Sequence, residues 1–314
     1  MTPRFSVIIA VYNGAATLAR AIDSVLAQSH PVHELIVVDD GSTDATAQVV
    51  AHYGERLRYL HQPNAGVSAA RNAGARLATG DWLAFLDADD VYYPGRIEWH
   101  AQWIAEDPTL DFLTGEEEYR EPDGRLIKTS LAHTAAGRML LARAGGAERV
   151  VMDQAAEIEA FVADHFGDTH TLSVPRRTFL ELGGYPPGRA VCEDVNFLIR
   201  LTAASRRIGV VLRPMAVYYI YPGSATRRDP LRAQRLTVEA LRALKPQLVA
   251  ALPAVQRGFR ASLRSARYNL AVALLRQGRR TEAIGAVLPS LLAQPGLSTL
   301  RELLSVVRGL DDKK

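Results

Sequence analysis

The sequence has almost no cysteine and no long apolar run. Cys192 is the only cysteine among 314 residues, which excludes an intramolecular disulfide framework and any metal site built from several cysteines. No window approaches 18 uninterrupted apolar residues, so we expect no membrane-spanning helix. The apolar stretch at residues 5–11 is too short for a secretory signal. We therefore expect a cytoplasmic protein, with peripheral contact at the inner face of a membrane left open.

Several common catalytic signatures are also missing. No G-x-x-x-x-G-K-[ST] loop occurs, and no G-x-G-x-x-G follows the first apolar run. The sequence has no H-E-x-x-H segment, and Cys192 has no nearby histidine pattern typical of a thiol nucleophile. These absences argue against a P-loop nucleotidase, a Rossmann dinucleotide enzyme, a zinc protease and a cysteine hydrolase.

The residues that are present divide into an acidic and a basic part. Hydrophobic residues make up 48 % of the chain and charged residues 23 %, as in folded globular proteins. Residues 1–226 contain 20 Lys and Arg against 28 Asp and Glu, a net charge of −8, whereas residues 227–314 contain 17 against 6, a net charge of +11. We therefore predict two domains, 1–226 and 227–314, with a boundary near Thr226.

Strand-like and helical segments alternate along the first 90 residues. Short apolar runs typical of buried strands lie at residues 5–11, 35–38 and 82–86, and a further short strand is expected at 57–61. Segments with helical apolar spacing lie between them, at residues 15–28, 44–53 and 67–79. This order predicts an α/β fold, with a mainly parallel sheet flanked by helices.

The later part of the chain is less regular and then becomes wholly helical. We expect loops and short helices over residues 115–168, a helix at 193–204, and two strands at 210–212 and 216–220. An all-α C-terminal region should follow, with helices near residues 229–245, 254–277, 281–293 and 298–309.

Polar side chains follow three of the predicted strands: Tyr12-Asn13, Asp39-Asp40 and Asp87-Ala88-Asp89-Asp90. Carboxyl ends of parallel strands meet at one edge of a sheet, where ligands bind. Three carboxylates within four residues repel one another and favour a hard cation such as Mg²⁺ or Mn²⁺ with substrate phosphates. The Asp39-Asp40 cluster and the residues after it also have the composition of a simple turn, so a purely structural role for this pair stays open.

A further acidic pair, Glu193-Asp194, begins a predicted helix. It could complement the positive end of the helix dipole or supply a general base, and composition does not separate the two.

Four segments, in this order and spacing, resemble glycosyltransferase family 2: VIIAVYN at 7–13, VVDDGSTD at 37–44, NAGVSAARNAG at 64–74 and FLDADD at 85–90. The resemblance extends through Glu193-Asp194 to about Ser224. It implies a GT-A fold and the inverting transfer of a sugar from a nucleoside-diphosphate sugar, with a weak bias to UDP. The implied acceptor is a hydroxyl of a glycan or lipid-linked molecule in bacterial surface polysaccharide or glycoconjugate synthesis.

The resemblance also implies roles for individual residues. Asp194 would be the catalytic base, with Glu193 orienting it or binding the acceptor. Asp87 and Asp89 match the D-x-D motif, the first near the ribose or the metal and the second a metal ligand, with Asp90 supporting them. Residues implied in nucleotide-sugar binding are Ala10, Tyr12, Asn13, Asp40, Arg71, Asp87 and Ala88, of which Arg71 could instead brace the carboxylates.

One position departs from the family pattern. Tyr221 stands where many relatives have a histidine near the end of the last strand. A phenol is a poor ligand for Mg²⁺ or Mn²⁺. A histidine contact to the metal or the phosphate is therefore absent here, or Arg227 or Arg228 replaces it.

The basic C-terminal region supports two interpretations. Arg257, Arg260, Arg264 and Arg267 are spaced 3, 4 and 3 residues apart, which places them on one helical face. This face could be the solvated edge of a packed helix, or a surface for anionic lipid headgroups or a lipid-diphosphate acceptor. Aromatic residues do not alternate with the arginines, so we expect no nucleic-acid binding. Residues 268–295 resemble a single tetratricopeptide-type helix pair, which could dock or stabilise but cannot form a solenoid alone.

Two other function classes remain open at this stage. A nucleotidyltransferase also uses an acidic metal site on an α/β sheet, although it should have a Gly- and Lys/Arg-rich phosphate loop after the first strand, where Asn13-Gly14-Ala15 stands here. A degenerate glycosyltransferase fold could act as a scaffold through its helical tail, but the acidic residues of the motifs are intact.

Overall fold

The computed structural model describes residues 2–167, 169–189, 191–221, 229–293 and 295–309. The predicted boundary near Thr226 lies outside these residues, as do Ser224, Arg227 and Arg228.

A single ten-stranded sheet forms the centre of the described structure. Its strands are β1 (Phe5–Val11), β2 (Glu34–Asp39), β3 (Arg58–His61), β4 (Trp82–Asp87), β5 (Val91–Tyr92), β6 (Phe112–Arg120), β7 (Leu126–Thr129), β8 (Arg149–Met152), β9 (Ser173–Pro175) and β10 (Ile208–Tyr219). The order across the sheet is β3-β2-β1-β4-β9-β6-β10-β5, with β7 beside β6 and β8 beside β10. Strands β3, β2, β1, β4, β6 and β10 share one direction, so the predicted mainly parallel sheet is confirmed.

Helices cover both faces of this sheet. Those of the first 203 residues are α1 (Leu18–Leu26), α2 (Thr46–Ala51), α3 (Val67–Leu77), α4 (Arg96–Glu106), α5 (Ser130–His133), α6 (Ala135–Ala144), α7 (Ala155–Ala163), α8 (Arg176–Glu181) and α9 (Glu193–Ala203). Alternate residues of β1 belong to two separate cores: Ile8 packs with Ala70 of α3, and Ile9 packs with Ile22 of α1. A strand buried on both faces explains the uninterrupted apolar run of its sequence.

Two sequence-based expectations were wrong. Residues 112–120 form β6, a central strand, where loops and short helices were expected from residue 115 onward. Its consecutive glutamates, Glu116, Glu117 and Glu118, conceal the strand pattern because each is buried with its own polar partners. The two expected strands at 210–212 and 216–220 are one strand, β10, whose register with β6 shifts around Pro214, a residue that has no N–H for the ladder.

The C-terminal region is helical, as predicted, and packs directly on the sheet domain. Its described helices are α10 (Pro230–Leu244), α11 (Pro253–Leu275), α12 (Arg280–Ala293) and α13 (Leu297–Arg308), with a 3-10 turn at Lys245–Leu248. Phe197 of α9 and Phe259 of α11 belong to the same hydrophobic core. A smaller core that includes Leu274, Val287 and Val306 joins α11, α12 and α13. Within the described residues, no helix combines the length and the hydrophobicity needed to cross a bilayer.

Candidate active site

A cleft of about 620 Å³ opens where β1, β2 and β4 end. The turn after β1, the start of the loop after β2, helix α3, the turn after β4 and the first turn of α9 all contribute to its walls. All ten predicted site residues line it: Ala10, Tyr12, Asn13, Asp40, Arg71, Asp87, Ala88, Asp89, Glu193 and Asp194. The structure therefore brings together residues that are up to 184 positions apart in the sequence, while their individual roles stay predictions.

The turn after β1 is fixed by Asn13, whose backbone adopts the left-handed conformation with φ 53°. Its side-chain Oδ1 accepts a hydrogen bond from the Thr43 backbone N at 2.8 Å, and its own backbone N donates to Ser42 Oγ at 2.8 Å. These bonds join the loops that follow β1 and β2. Tyr12, one position earlier, is 55 % exposed at the cleft rim, where its ring is open to stacking.

The acidic pair after β2 has a structural function in addition to its place at the cleft. Asp40 is buried, and its carboxylate accepts hydrogen bonds from the backbone N of Ala65 at 3.0 Å and of Gly66 at 2.7 Å. Asp39 accepts from the Ser42 backbone N at 2.8 Å and from the Tyr59 hydroxyl at 2.6 Å. Asp39 thus matches the turn interpretation, whereas Asp40 fixes the loop that leads into α3 and also faces the cleft.

Arg71 lies buried between two carboxylates of the cleft. Its guanidinium contacts Asp87 Oδ1 at 2.5 Å and Glu193 Oε1 at 3.0 Å. Burial alone would raise the pKa of Asp87, but the charges of Arg71 and His170 outweigh it and hold that pKa well below its usual range. The bracing role of Arg71 is therefore visible in its contacts. The same bridge ties β4 to the start of α9.

Asp90 and His170 form a second charged group beside Asp87. His170 Nε2 lies 2.7 Å from Asp90 Oδ2 and 3.4 Å from Asp87 Oδ2, and His170 Nδ1 lies 3.2 Å from Glu117 Oε2. The other oxygen of Asp90 accepts from the Tyr219 backbone N at 2.7 Å. Burial raises the pKa of Asp90 to about 6, against the opposing charge of His170.

This group has the chemistry of a divalent metal site. One ligand atom from each of Asp87, Asp90 and His170 lies within 4.8 Å of the others. Asp90 Oδ2 and His170 Nε2 are buried and face each other at 2.7 Å as an ion pair. Two carboxylates and an imidazole suit an ion such as Mn²⁺. Asp89, the predicted ligand, lines the same cleft but is not a member of this group.

Asp89 is held in place through its backbone. Arg20 Nη2 donates to the Asp89 carbonyl oxygen at 2.7 Å and contacts the Tyr221 hydroxyl at 3.2 Å. The same guanidinium stacks on the Tyr219 ring at 4.0 Å. Burial and the neighbouring Asp87 raise the pKa of the Asp89 carboxyl. Tyr221 therefore lines the cleft as part of an arginine-centred contact with the D-x-D turn.

The first turn of α9 presents Glu193 and Asp194 to the cleft. Cys192, before the helix, adopts the left-handed conformation with φ 66°. Asp194 Oδ1 accepts a hydrogen bond from the Val195 backbone N at 2.7 Å. Glu193 is buried, and burial and the charge of Asp194 raise its pKa despite the contact with Arg71. The pair thus consists of a buried, braced glutamate and a more accessible aspartate.

Sequence reasoning missed His170 and its partner Glu117. These residues are 53 positions apart, and neither lies in a segment that resembles the family motifs. The one available signal was the run Glu116-Glu117-Glu118 followed by Tyr119, whose hydroxyl donates to Glu117 at 2.7 Å. A buried position for such a run requires partners that the sequence does not identify.

Comparisons with known proteins agree with this architecture. Residues 6–143 match the family model for Glycosyl transferase family 2. An uncharacterized glycosyltransferase of Rickettsia prowazekii, RP339, is 45 % identical over 97 residues, a match that covers 31 % of this chain and 30 % of the relative. The chain spans less than a third of the length of the curated relatives it matches.

Solved structures extend the likeness over nearly the whole chain. S. aureus TarS 1-349 in complex with UDP-GlcNAc has a TM-score of 0.60 at 20 % identity, over 96 % of this chain and 79 % of that one. The mannosyltransferase PcManGT from Pyrobaculum calidifontis, in complex with GDP-Man and Mn²⁺, has a TM-score of 0.59 at 18 % identity, over 98 % and 86 %. The fold is that of the GT-A glycosyltransferases. The family 2 match is limited to residues 6–143, which is less than half of the chain.

Proposed function

We propose that this protein transfers a sugar from a nucleoside-diphosphate sugar to an acceptor hydroxyl, with inversion at the anomeric carbon. The observation that carries the proposal is the cleft itself, which has Asp87 and Asp89 in one wall and Asp194 in another. An acidic cation site beside the leaving diphosphate and a separate carboxylate for the acceptor are the two groups that such a displacement needs.

The donor would occupy the rim and the floor of the cleft. The exposed ring of Tyr12 is open to the nucleoside base, and Asp40 supports the adjoining loop while facing the same space. Ala10 and Ala88 leave room for the donor because they have small side chains. The two solved neighbours were captured with different nucleotides, UDP-GlcNAc for TarS and GDP-Man for PcManGT. The weak preference for UDP is therefore a matter for experiment.

A divalent cation, Mg²⁺ or Mn²⁺, would be held by Asp87 and Asp89, with Asp90 and His170 as further candidate ligands. When bound, it supplies positive charge that stabilises the departing diphosphate. Arg71 keeps Asp87 ionised. Asp90, Asp87 and Glu117 favour the protonated form of His170, so His170 would hold a cation only after losing its proton as the cation binds. These charged neighbours would therefore keep the candidate ligand carboxylates in the ionised form that binds a cation.

Asp194 is the better placed of the two α9 carboxylates to act as general base. Glu193 is buried and occupied by Arg71, whereas Asp194 is only half-buried at the cleft wall. As the acceptor oxygen forms its bond to the anomeric carbon, its proton passes to Asp194 and the bond to the diphosphate breaks. Attack from the face opposite the leaving group inverts the configuration. Glu193 would position this turn through Arg71.

The acceptor would be a glycan or a lipid-linked molecule of bacterial surface polysaccharide or glycoconjugate synthesis, used on the cytoplasmic side of the membrane. The basic C-terminal helices would make peripheral contact with anionic lipid there. The catalytic proposal does not depend on that contact. A nucleotidyltransferase gains no support from the family match or from the solved neighbours.

The experiment compares Asp194→Asn with Asp153→Asn, an exposed carboxylate outside the cleft. A thermal-shift screen of nucleoside-diphosphate sugars with Mg²⁺ or Mn²⁺ first identifies the donor, and transfer to acceptor hydroxyls is then assayed. Asp194→Asn should bind the donor as the unmodified chain does and lose about 10²-fold or more in transfer rate, the usual effect of removing a general base. Asp153→Asn should change neither.

Three results would count against the proposal. Transfer by Asp194→Asn at the unmodified rate would remove Asp194 as the base. A product that retains the donor's anomeric configuration would remove the inverting mechanism. Binding of donors without transfer to any acceptor by the unmodified chain would favour a non-catalytic scaffold.

A further inference from the structure

The C-terminal helices enclose a second cleft of about 670 Å³, as large as the one at the sheet edge. It lies between the end of α10, the 3-10 turn that follows it, one face of α11 and the end of α12. Five of its described lining residues are cationic, and none is acidic: Arg242, Lys245, Arg260, Arg264 and Arg267. We call this space the basic cleft.

The positive charge of the basic cleft is largely uncompensated by the protein. Among the described residues, Arg242, Lys245 and Arg260 have no carboxylate within 4.0 Å, and all three side chains are exposed. Arg264 contacts Glu302 only at 3.4 Å. Arg267 donates to the neutral Ser290 hydroxyl at 3.3 Å, and burial and the charge of Arg242 lower its pKa. Among the described residues, only Arg264 of these five cations therefore has a carboxylate counterion.

Arg257 provides the contrast on the same helix. The sequence placed it on one face with Arg260, Arg264 and Arg267, but its Nε contacts Glu159 Oε2 of α7 at 2.6 Å. It is not among the residues that line the basic cleft. Of the four arginines on this face, Arg257 is thus held away from the cleft by a close salt bridge, and the other three line the cleft together with Arg242 and Lys245.

The walls between these cations are apolar. Phe259 and Leu263 of α11 and Leu248 of the 3-10 turn form a buried surface, and Val249 lies 76 % exposed at the opening. A small inorganic anion would use the charges alone, because it has nothing to place against these side chains. A molecule with a phosphate group and an attached hydrocarbon portion would use both.

We propose that the basic cleft binds the phosphate headgroup of an anionic lipid, with the start of its hydrocarbon portion against Phe259 and Leu263. This inference sharpens the membrane contact of the proposed function to one site and does not depend on sugar transfer. Guanidinium groups suit a phosphate because they donate parallel hydrogen bonds to two of its oxygens.

The test measures co-sedimentation of the full chain with phosphatidylcholine vesicles, with and without phosphatidic acid. The cleft variant is Arg260→Gln and the matched control is Arg257→Gln, which removes the same charge one helical turn away. Inorganic pyrophosphate and a single-stranded oligonucleotide serve as soluble competitors, and sugar transfer is assayed separately on every variant.

We expect the unmodified chain to bind vesicles that contain phosphatidic acid at least about tenfold more tightly than pure phosphatidylcholine, since each charged contact of this kind is worth about a factor of ten or more. Arg260→Gln should lose about tenfold of that affinity, and Arg257→Gln should retain it. Adding Lys245→Gln to Arg260→Gln should weaken binding further, with transfer to a soluble acceptor unchanged.

Other outcomes overturn the inference. Equal losses in Arg257→Gln and Arg260→Gln would show a diffuse electrostatic attraction without a specific cleft. Pyrophosphate that binds as tightly as the vesicles would show a phosphate site indifferent to the hydrocarbon portion, and tighter oligonucleotide binding would show a nucleic-acid site. One further result tells the two proposals apart and supports this one: loss of transfer in Asp194→Asn with vesicle binding intact would show that this variant affects only catalysis.

Discussion

Replacing Gly258 by alanine is expected to destabilise the folded chain, because α11 crosses α7 at this glycine without space for a methyl group. A Cβ atom at position 258 would lie 2.4 Å from the carbonyl oxygen of Glu159 and 2.8 Å from Val162 Cβ. The first of these atoms belongs to the backbone, so relief requires one helix to move away from the other. The substitution therefore tests how firmly the C-terminal helices are joined to the sheet domain.

Two opposing free-energy terms set the size of the effect. Alanine is favoured over glycine in a helix interior by about 0.5–1 kcal/mol. An overpacked methyl group costs about 1–3 kcal/mol. We expect Gly258→Ala to lower the free energy of unfolding by about 1–2 kcal/mol. Gly285, exposed in α12, is the matched control, since a Cβ there meets nothing within 4 Å and the substitution should stabilise by up to about 1 kcal/mol.

Guanidinium denaturation, followed by tryptophan fluorescence and by far-ultraviolet circular dichroism, measures the change in the free energy of unfolding. Trp82, Trp99 and Trp103, the three tryptophans of the chain, all lie in the sheet domain, whereas far-ultraviolet circular dichroism also reports the C-terminal helices. If α11 is integral to the fold, Gly258→Ala shifts the fluorescence transition and the dichroism transition together.

Two results would refute this reasoning. Gly258→Ala as stable as Gly285→Ala would show that the close approach of α11 and α7 is not a constraint. A fluorescence transition unmoved by Gly258→Ala, beside a shifted dichroism transition, would show that the C-terminal helices unfold separately. The second result would support the predicted division into domains 1–226 and 227–314. We expect the two parts to unfold together, because Phe197 and Phe259 lie in the same hydrophobic core.

Three further predictions concern charged side chains. Arg71→Met should destabilise the chain by about 3–5 kcal/mol in guanidinium denaturation, since it removes the cation that pairs with Asp87 and Glu193. Adding Glu193→Gln should restore part of the lost stability, and a loss below about 1 kcal/mol in Arg71→Met would contradict the reasoning. Asp89→Ala should abolish Mn²⁺-dependent binding of UDP in calorimetry at an unchanged melting temperature, and unchanged affinity would remove Asp89 as a metal ligand. Burial would raise the pKa of Glu34, but hydrogen bonds from Thr79 and Arg58 outweigh it and lower that pKa to about 2. Because the folded pKa lies below the unfolded one, the stabilisation is complete above about pH 4.5 and declines as the pH falls toward 2, so Glu34→Gln should flatten the acid side of the stability profile; an identical acid profile would contradict the assignment.

The sequence was most informative where a local pattern has one physical cause. Residues 5–11 are apolar throughout because β1 is covered on both faces, and the polar residues that follow β1, β2 and β4 meet because parallel strands end at one edge. Glu193 and Asp194 were noted only as an acidic pair at a helix start, and the resemblance to family 2 connected them, and Arg71, to that edge. All ten residues predicted in this way line the cleft.

Partners from distant segments were beyond such reasoning. Glu117 and His170 make a buried contact across 53 residues, and each alone would have been assigned to the surface by its charge. Arg96 is similar: it is fully buried in α4 and donates to the carbonyl oxygen of Leu172 at 2.7 Å and to Ser173 Oγ at 2.8 Å, which fixes the segment just after His170. The charge of a side chain does not reveal the partner that allows its burial.

The opposite charges of the two parts of the chain acquire a meaning once the contacts are known. In the acidic part, many carboxylates are neutralised internally, as Asp87 and Glu193 are by Arg71, and Asp90 is by His170. In the basic part, Arg257 is neutralised by Glu159, whereas the cations of the basic cleft have little compensation. Net charge alone would predict the same diffuse attraction for every arginine of α11. The contacts instead separate arginines that are paired within the fold from arginines that have little compensation among the described residues, and the difference between Arg257→Gln and Arg260→Gln measures that separation directly.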